Sequence, residues 1–140
     1  MLNHYKIILA VGAFIMSSKK QILIVKKSPH EKVDGGLWTV PGGKVYQNEP
    51  LFNALKREVK EEVGLTIKKY QWIGEDVFEN NKYWFHGQHF LCTVAKSSPV
   101  ILEKNLLDYR WISRKDVKNF EFHPNIRKRL QEQLLKILSK

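Results

Sequence analysis

Residues Gly43 to Leu65 read GKVYQNEPLFNALKREVKEEVGL. The stretch carries Glu58, Glu61 and Glu62 at i, i+3 and i+4, is entered through Pro41-Gly42-Gly43, and is closed by Gly64. Pro50 suits the first helical position, where its missing N–H costs nothing. That makes Glu49 the predicted N-cap, an unusual residue for the position, which points to another task for its carboxylate. Gly64 suits the left-handed residue that ends a helix. At 100° per residue and with Glu58 at 0°, Glu61 falls at about −60° and Glu62 at about +40°. Ala54 then lies at about −40°, Leu51 at about +20° and Leu55 at about +60°. Lys56, Lys60 and Asn53 fall on the far side, so the glutamates border the apolar stripe instead of sharing the solvated face. Crowding three carboxylates there costs free energy unless a cation or hydrogen bonds compensate. The pattern therefore predicts a divalent-cation site.

Outward from this helix, Lys6 to Ile15 and Gln21 to Lys26 read as two strands joined in a hairpin by Ser17-Ser18-Lys19-Lys20. Ser28 to Gly36 reads as a polar loop and Leu37 to Val40 as a short extended piece stopped by Pro41. Gly42-Gly43 permits backbone torsions, or a close ligand approach, that a β-carbon would forbid. Beyond the helix, Thr66 to Val77 and Tyr83 to Lys96 read as longer strands around the turn Glu79-Asn80-Asn81-Lys82, the second ended by Ser97-Ser98-Pro99. Asp108 to Ile112 is a further strand, and Ser113 or its neighbour caps a short helix, Arg114 to Lys118. His123-Pro124 opens a final amphipathic helix in which Ile126, Leu130, Leu134, Ile137 and Leu138 share a face. Strands and helices alternate irregularly, which predicts an α/β or α+β layered fold, a mixed sheet with helices on both sides.

The 140 residues, 43% apolar and 27% charged, fit one folded domain over 1–140 and exclude a disordered or repetitive chain. Cys92, the only cysteine, has no internal disulfide partner, which favours a reducing compartment and a role as a small buried hydrophobe. Ile7 to Met16 lacks the flanks of a signal peptide, and no stretch reaches the ~18 apolar residues of a membrane helix. A cytoplasmic protein without a membrane partner is expected. The formal net charge of +10 favours anionic partners. The basic residues are scattered in small groups without a dominant stripe, so nucleic acid is not expected among them.

The stretch matches a known signature at each fixed position: G, five residues, E, seven residues, then R-E-U-x-E-E-x-G-U, with U a bulky aliphatic. The matching residues are Gly43, Glu49, Arg57, Glu58, Val59, Glu61, Glu62, Gly64 and Leu65. In this the chain resembles the Nudix hydrolases of the MutT-like kind, and Trp38 to Gly43 and Tyr109 to Ser113 resemble that family's flanks. The resemblance implies an α/β/α sandwich with a mixed sheet, and hydrolysis of a nucleoside diphosphate linked to some group X. It implies Mg²⁺, with Mn²⁺ as a substitute, held by Glu58, Glu61 and Glu62 and joined by the carbonyl of Gly42 or Gly43. Glu49 and Arg57 are then supporting residues that pair across the helix. Glu62 is the general-base candidate within the box, and Glu103 and His123 are the distal ones, since GDP-mannose hydrolases place a catalytic histidine near His123. His86 and His89, three apart in a strand, point to opposite faces and make a poor metal pair. His4 and His30 carry no signal.

The signature leaves X open. The proline that often marks ADP-ribose hydrolases is replaced by Asn80 and Asn81, and no glutamine precedes the glycines as in RNA pyrophosphohydrolases. All box glutamates are present, unlike in GDP-mannose hydrolases. Tyr83 is compatible with dinucleoside-polyphosphate hydrolases. The leading expectation is a nucleotide pyrophosphohydrolase acting on (d)NTPs, including oxidised ones. Trp38, Tyr83 and Phe85 are its candidates for stacking on a base, and Lys26 or Lys27 for meeting phosphate. A nucleotide-sugar hydrolase using His123 and a non-catalytic sensor module are the alternatives, the intact glutamates arguing against the second. A homodimer is the assembly the resemblance allows.

Overall fold

The computed structural model describes residues 6–95 and 98–138, and the side chains of 137 and 138 are outside that description. His4, Lys96, Ser97 and the predicted apolar contributions of Ile137 and Leu138 therefore lie outside the described residues. Among the described residues, seven strands and two α-helices follow one another as β1 (Lys6–Ile15), β2 (Ile22–Lys27), β3 (Trp38–Thr39), β4 (Gly42–Lys44), α1 (Leu51–Val63), β5 (Ile67–Asn80), β6 (Tyr83–Val94), β7 (Leu106–Ile112) and α2 (Pro124–Leu138). A short 3-10 helix, Arg114–Asn119, precedes α2.

The strands form two sheets instead of the single one expected. The larger has the order β4-β1-β6-β5 and is mixed, with β1 parallel to β6 and the other pairs antiparallel. The smaller is antiparallel, in the order β3-β2-β7. The expected β1–β2 hairpin is accordingly absent. After the bridge Met16↔Ile22 the chain parts, β1 joining the first sheet and β2 the second. Val11 to Ile15 of β1 and Ile22 to Val25 of β2 are buried on both faces, so these parts lie between neighbours and take their partners from elsewhere in the chain.

Period-two alternation sorts the core into two layers. Val11, Ala13 and Ile15 of β1, Leu23 and Val25 of β2, and Phe90 and Cys92 of β6 pack under Ala54, Leu55, Val59 and Val63 of α1. Phe14, Ile22, Ile24 and Ile112 face the other way, onto Val117, Leu130 and Leu134. The layered, mixed α/β architecture is thus the expected one, with α1 and α2 on opposite faces. Burying a Leu or Val side chain of this kind contributes roughly 1.5–3 kcal/mol. Cys92 lies in the first layer, 1% exposed, and burial pushes its thiol up to about 12, where it is inert.

The helix ends place the site. Pro50, not Glu49, is the N-cap of α1. It has extended torsions, and its carbonyl accepts the N–H of Ala54. Gly64 ends α1 with φ 72°. The following loop folds back, the N–H of Ile101 donating to the Val63 carbonyl and that of Glu103 to the Glu62 carbonyl. Glu103 thereby arrives beside the end of the helix. Ser113 and Asp116 form a reciprocal capping box at the 3-10 helix.

Candidate active site

Arg57 is the hub of the carboxylates. Its Nε donates to Glu49 Oε2 at 2.8 Å, one terminal nitrogen to Glu58 Oε1 at 2.8 Å and Glu61 Oε2 at 3.3 Å, and the other to Glu49 Oε1 at 3.0 Å and the Lys44 carbonyl at 2.9 Å. The guanidinium also lies over the Tyr46 ring, 3.8 Å from its centre. Glu49, freed from capping, is a bidentate partner, and it also accepts the N–H of Tyr46 at 3.0 Å. Hydrogen bonds from Arg57, then from that N–H, hold its carboxyl below the usual range. Hydrogen bonding to Glu49 and Glu58 raises the arginine against the opposing pull of burial, so it stays charged.

Glu58 and Glu62 are set differently from Glu61. Burial raises the Glu58 carboxyl against the pull of Arg57, with Glu61 and Glu103 adding to the rise. Glu62 accepts the N–H of Gly42 at 2.6 Å. Burial, together with Glu58 and Glu103, still pushes it up to about 8. The Glu61 side chain is 53% exposed at the rim. The glycines have steric reasons to be there. A β-carbon on Gly42 would lie 2.1 Å from the Val11 carbonyl oxygen, and one on Gly43 would lie 2.6 Å from the Glu58 carboxyl carbon.

Of these carboxylates Glu62 lines one end of a cleft of about 770 Å³, whereas Glu58 and Glu61 are not among its lining residues. Gly42, Gly43, Lys44, Glu62 and Glu103 line that end, with Lys27 and Lys32 close by. Asp76, Phe78, Phe85, Gly87, His89, His123, Asn125 and Ile126 line the other. Oxygen donors alone suit a hard cation such as Mg²⁺, which is usually shared between carboxylates and substrate phosphates. The open Gly43 in front of Glu58 is compatible with that ion. Among the described residues no three His, Cys, Asp or Glu side chains close a metal cage by themselves, so substrate oxygens or backbone carbonyls would complete the set.

The structure separates the sequence candidates. Phe85 lines the cleft, stacked on Phe78 with ring centres 5.1 Å apart. Trp38 does not line it. It packs edge-on against Phe120 and belongs to the α2 layer, which its place in β3 beside the 3-10 helix dictates. Tyr83, the first residue of β6, sits under the Lys6 ammonium, outside the cleft lining. Lys27 lines the cleft and Lys26 does not, because successive residues of β2 face opposite sides. His123 is in the cleft wall, its Nδ1 accepting the N–H of Asn125 at 3.1 Å and its ring on Phe78 at 5.3 Å. That is the β5 edge of the sheet, whereas Glu62 is anchored at the β4 edge. His86 faces Glu75 on the opposite side of β6 from His89, as the spacing required. Sequence reasoning passed over Phe78, Asp76, His89 and His30 as cleft residues. Only strand pairing brings Asp76 and Phe78 beside Gly87 and Phe85.

The fold and this site define a class of proteins. The NUDIX domain profile matches residues 6–133. The chain is 37% identical over 107 residues to the 8-oxo-dGTP diphosphatase of Buchnera aphidicola subsp. Schizaphis graminum, covering 74% of this chain and 77% of that protein. It is 30% identical to Nudix hydrolase 2 of Arabidopsis thaliana, covering 68% of this chain and 33% of that longer protein. The MutT protein of Methanosarcina mazei Go1 superposes with a TM-score of 0.84 at 26% identity, over 99% of this chain and 100% of its own. The chain belongs to the Nudix family and is a MutT-like pyrophosphohydrolase.

Proposed function

We propose that this protein hydrolyses a phosphoanhydride bond of a nucleoside triphosphate, with oxidised (d)NTPs among its substrates, in a Mg²⁺-dependent reaction. The observation that carries this reading is a cleft with Glu62 and Glu103 at one end and an aromatic pair at the other, with Glu58 adjoining the first end at Gly43 and tied with Glu61 to Arg57. Glu58, Glu61 and Glu62, with a carbonyl of Gly42 or Gly43, would hold the ion. When bound, the ion supplies charge neutralisation at the pyrophosphate and acidifies an attacking water. Arg57 fixes the rotamers of Glu58 and Glu61, so the set is organised before substrate arrives. With Glu62 on the ion, Glu103, brought beside it by the loop that folds back on α1, would take the proton from that water. Lys27 and Lys44 face the same space and suit the phosphate oxygens.

Support for the nucleoside end comes from the stacked Phe78–Phe85 pair and from the name carried by the Buchnera relative. The test is turnover of a nucleotide panel that includes (d)NTPs, 8-oxo-dGTP and nucleotide sugars. Glu61→Gln and Glu62→Gln should each lower Mg²⁺-dependent turnover roughly a hundredfold or more with the circular dichroism spectrum retained. Full activity in both variants would remove the carboxylates from the reaction. Release of neither phosphate nor pyrophosphate by the wild type from any member of the panel would remove the nucleotide reading.

A further inference from the structure

The cleft floor is a trough cut across the larger sheet. One row of paired residues runs Lys44, Ala10, Gly87, Asp76, and the next includes Gly42, Gly12 and His89. Small residues in the middle strands leave the trough open. From Gly42 on β4 to Asp76 on β5 it crosses three strand spacings, roughly 14 Å. The phosphate end is thus at β4, and whatever is joined to the phosphates extends toward β5.

At the β5 end stands a histidine whose side-chain Nδ1 has no hydrogen-bond partner. His89 is 5% exposed and is held on one side by the Phe14 ring, with centres 5.1 Å apart. Its Nδ1 faces Asp76 Oδ2 at 3.6 Å, and both atoms are buried without another partner. Asp76 is fixed from behind by Arg129, whose terminal nitrogen donates to Oδ1 at 3.2 Å. A carboxylate opposite Nδ1 places the ring proton there and leaves Nε2 as an acceptor. Nε2 lies between two glycines: a β-carbon on Gly12 would be 3.5 Å from it and one on Gly87 3.6 Å. The absent side chains leave that edge of the ring facing the trough, beside the Phe78–Phe85 stack.

We infer that His89 is a specificity residue whose Nε2 accepts a hydrogen bond from the exocyclic amino group of a purine base, with Asp76 as the residue that positions its proton. The inference rests on the nucleotide reading of the cleft. A buried acceptor left empty by a base lacking the amino group costs free energy, so the site discriminates by what it leaves unpaired.

Two measurements test this. Long-range ¹H–¹⁵N correlation of the wild type should show His89 protonated at Nδ1. In Asp76→Asn the tautomer should move toward Nε2–H. A wild-type proton on Nε2 overturns the proposal without any reference to substrate. The second measurement is kcat/KM for dGTP, dATP and dITP, dITP being the purine with no amino group. The wild type should favour dGTP or dATP over dITP roughly tenfold, and the ratio should fall toward one in His89→Phe and in Gly87→Ala. Gly87→Ala guards against a folding artefact, because its methyl would meet only His89 Nε2 at 3.6 Å and the Asp76 carbonyl oxygen at 3.7 Å, both ordinary contacts. Its melting temperature should not fall. Hydrolysis of all three nucleotides at equal rates by the wild type, or an unchanged ratio in Gly87→Ala, overturns the base-reading role and leaves the nucleotide reading standing. Hydrolysis of none of them overturns both.

Discussion

Arg57 and His89 are two ways of placing a polar group under a functional surface. Arg57 is charged, satisfied at each nitrogen, and used to fix other side chains. His89 is neutral and unsatisfied, because burial lowers it to about 4 against the attraction of Asp76, with Arg129 adding to the fall. That difference has a measurable consequence. An unfolded histidine titrates near 6.5. Between that value and about 4 the unfolded chain binds a proton at residue 89 that the folded one does not. Stability from this residue is therefore complete above pH 6.5 and is lost as the pH falls toward 4, by roughly 2–3 kcal/mol. The groups facing the ring are Asp76 and, beyond it, Arg129. The Asp76 charge opposes the loss but does not outweigh burial. Urea midpoints from pH 7.5 to 4.5 should decline less in His89→Phe than in the wild type, with the difference confined to that window. Parallel declines would mean that His89 titrates normally.

At the scale of elements, the helix and the long strands are readable because their causes are local. The apolar stripe of α1, the glycine that ends it and the Ser113–Asp116 box are all encoded within a few residues. The N-cap falls one residue later than expected, because Pro50 itself takes the extended torsions of the cap instead of opening the helix. Glu49 is drawn away from capping by Arg57, eight residues on. The β1–β2 hairpin failed for a different reason: a polar turn between two apolar runs reads the same whether the strands pair or part. The β5–β6 hairpin was expected with a four-residue turn, Glu79 to Lys82; the pairing is as expected, but β5 runs on to Asn80 and leaves a two-residue turn. Its residues Asn81 and Lys82 have φ 50° and 68°, the left-handed pair that matches strand twist. Lysine at the second position bears a strain that glycine would not. Lys82→Gly is expected to raise stability by about 0.5–1 kcal/mol, read as a higher melting temperature with the circular dichroism spectrum unchanged. A lower melting temperature would show that the Lys82 side chain contributes more than its backbone costs.

For the whole molecule, what the sequence reveals and what it hides divide along the cleft. The carboxylate end lies within one helix and its entry turn, so angular placement and spacing are enough to single out Glu58, Glu61, Glu62 and Gly43 as candidates. The opposite end is assembled from β1, β5, β6 and the start of α2. Asp76, Phe78, Gly87 and His89 meet only through strand register, which includes a bulge between Trp72 and Gly74. No periodicity within one segment reveals that. Charge is a property of the molecule as a whole, and it predicts how substrate arrives. The net +10 surrounds a cleft in which Lys27, Lys32 and Lys44 stand beside the carboxylates. A triphosphate is attracted over a distance set by the Debye length, ~10 Å at 0.1 M salt. At saturating Mg²⁺, raising monovalent salt from ~20 to ~300 mM should lower kcat/KM for a nucleoside triphosphate roughly three- to tenfold, with kcat changing little. Lys32→Glu, at the exposed rim of the cleft, should lower kcat/KM at low salt and flatten that dependence. A kcat/KM independent of salt in the wild type would mean that capture is governed by contacts inside the cleft, and that the positive field serves another purpose.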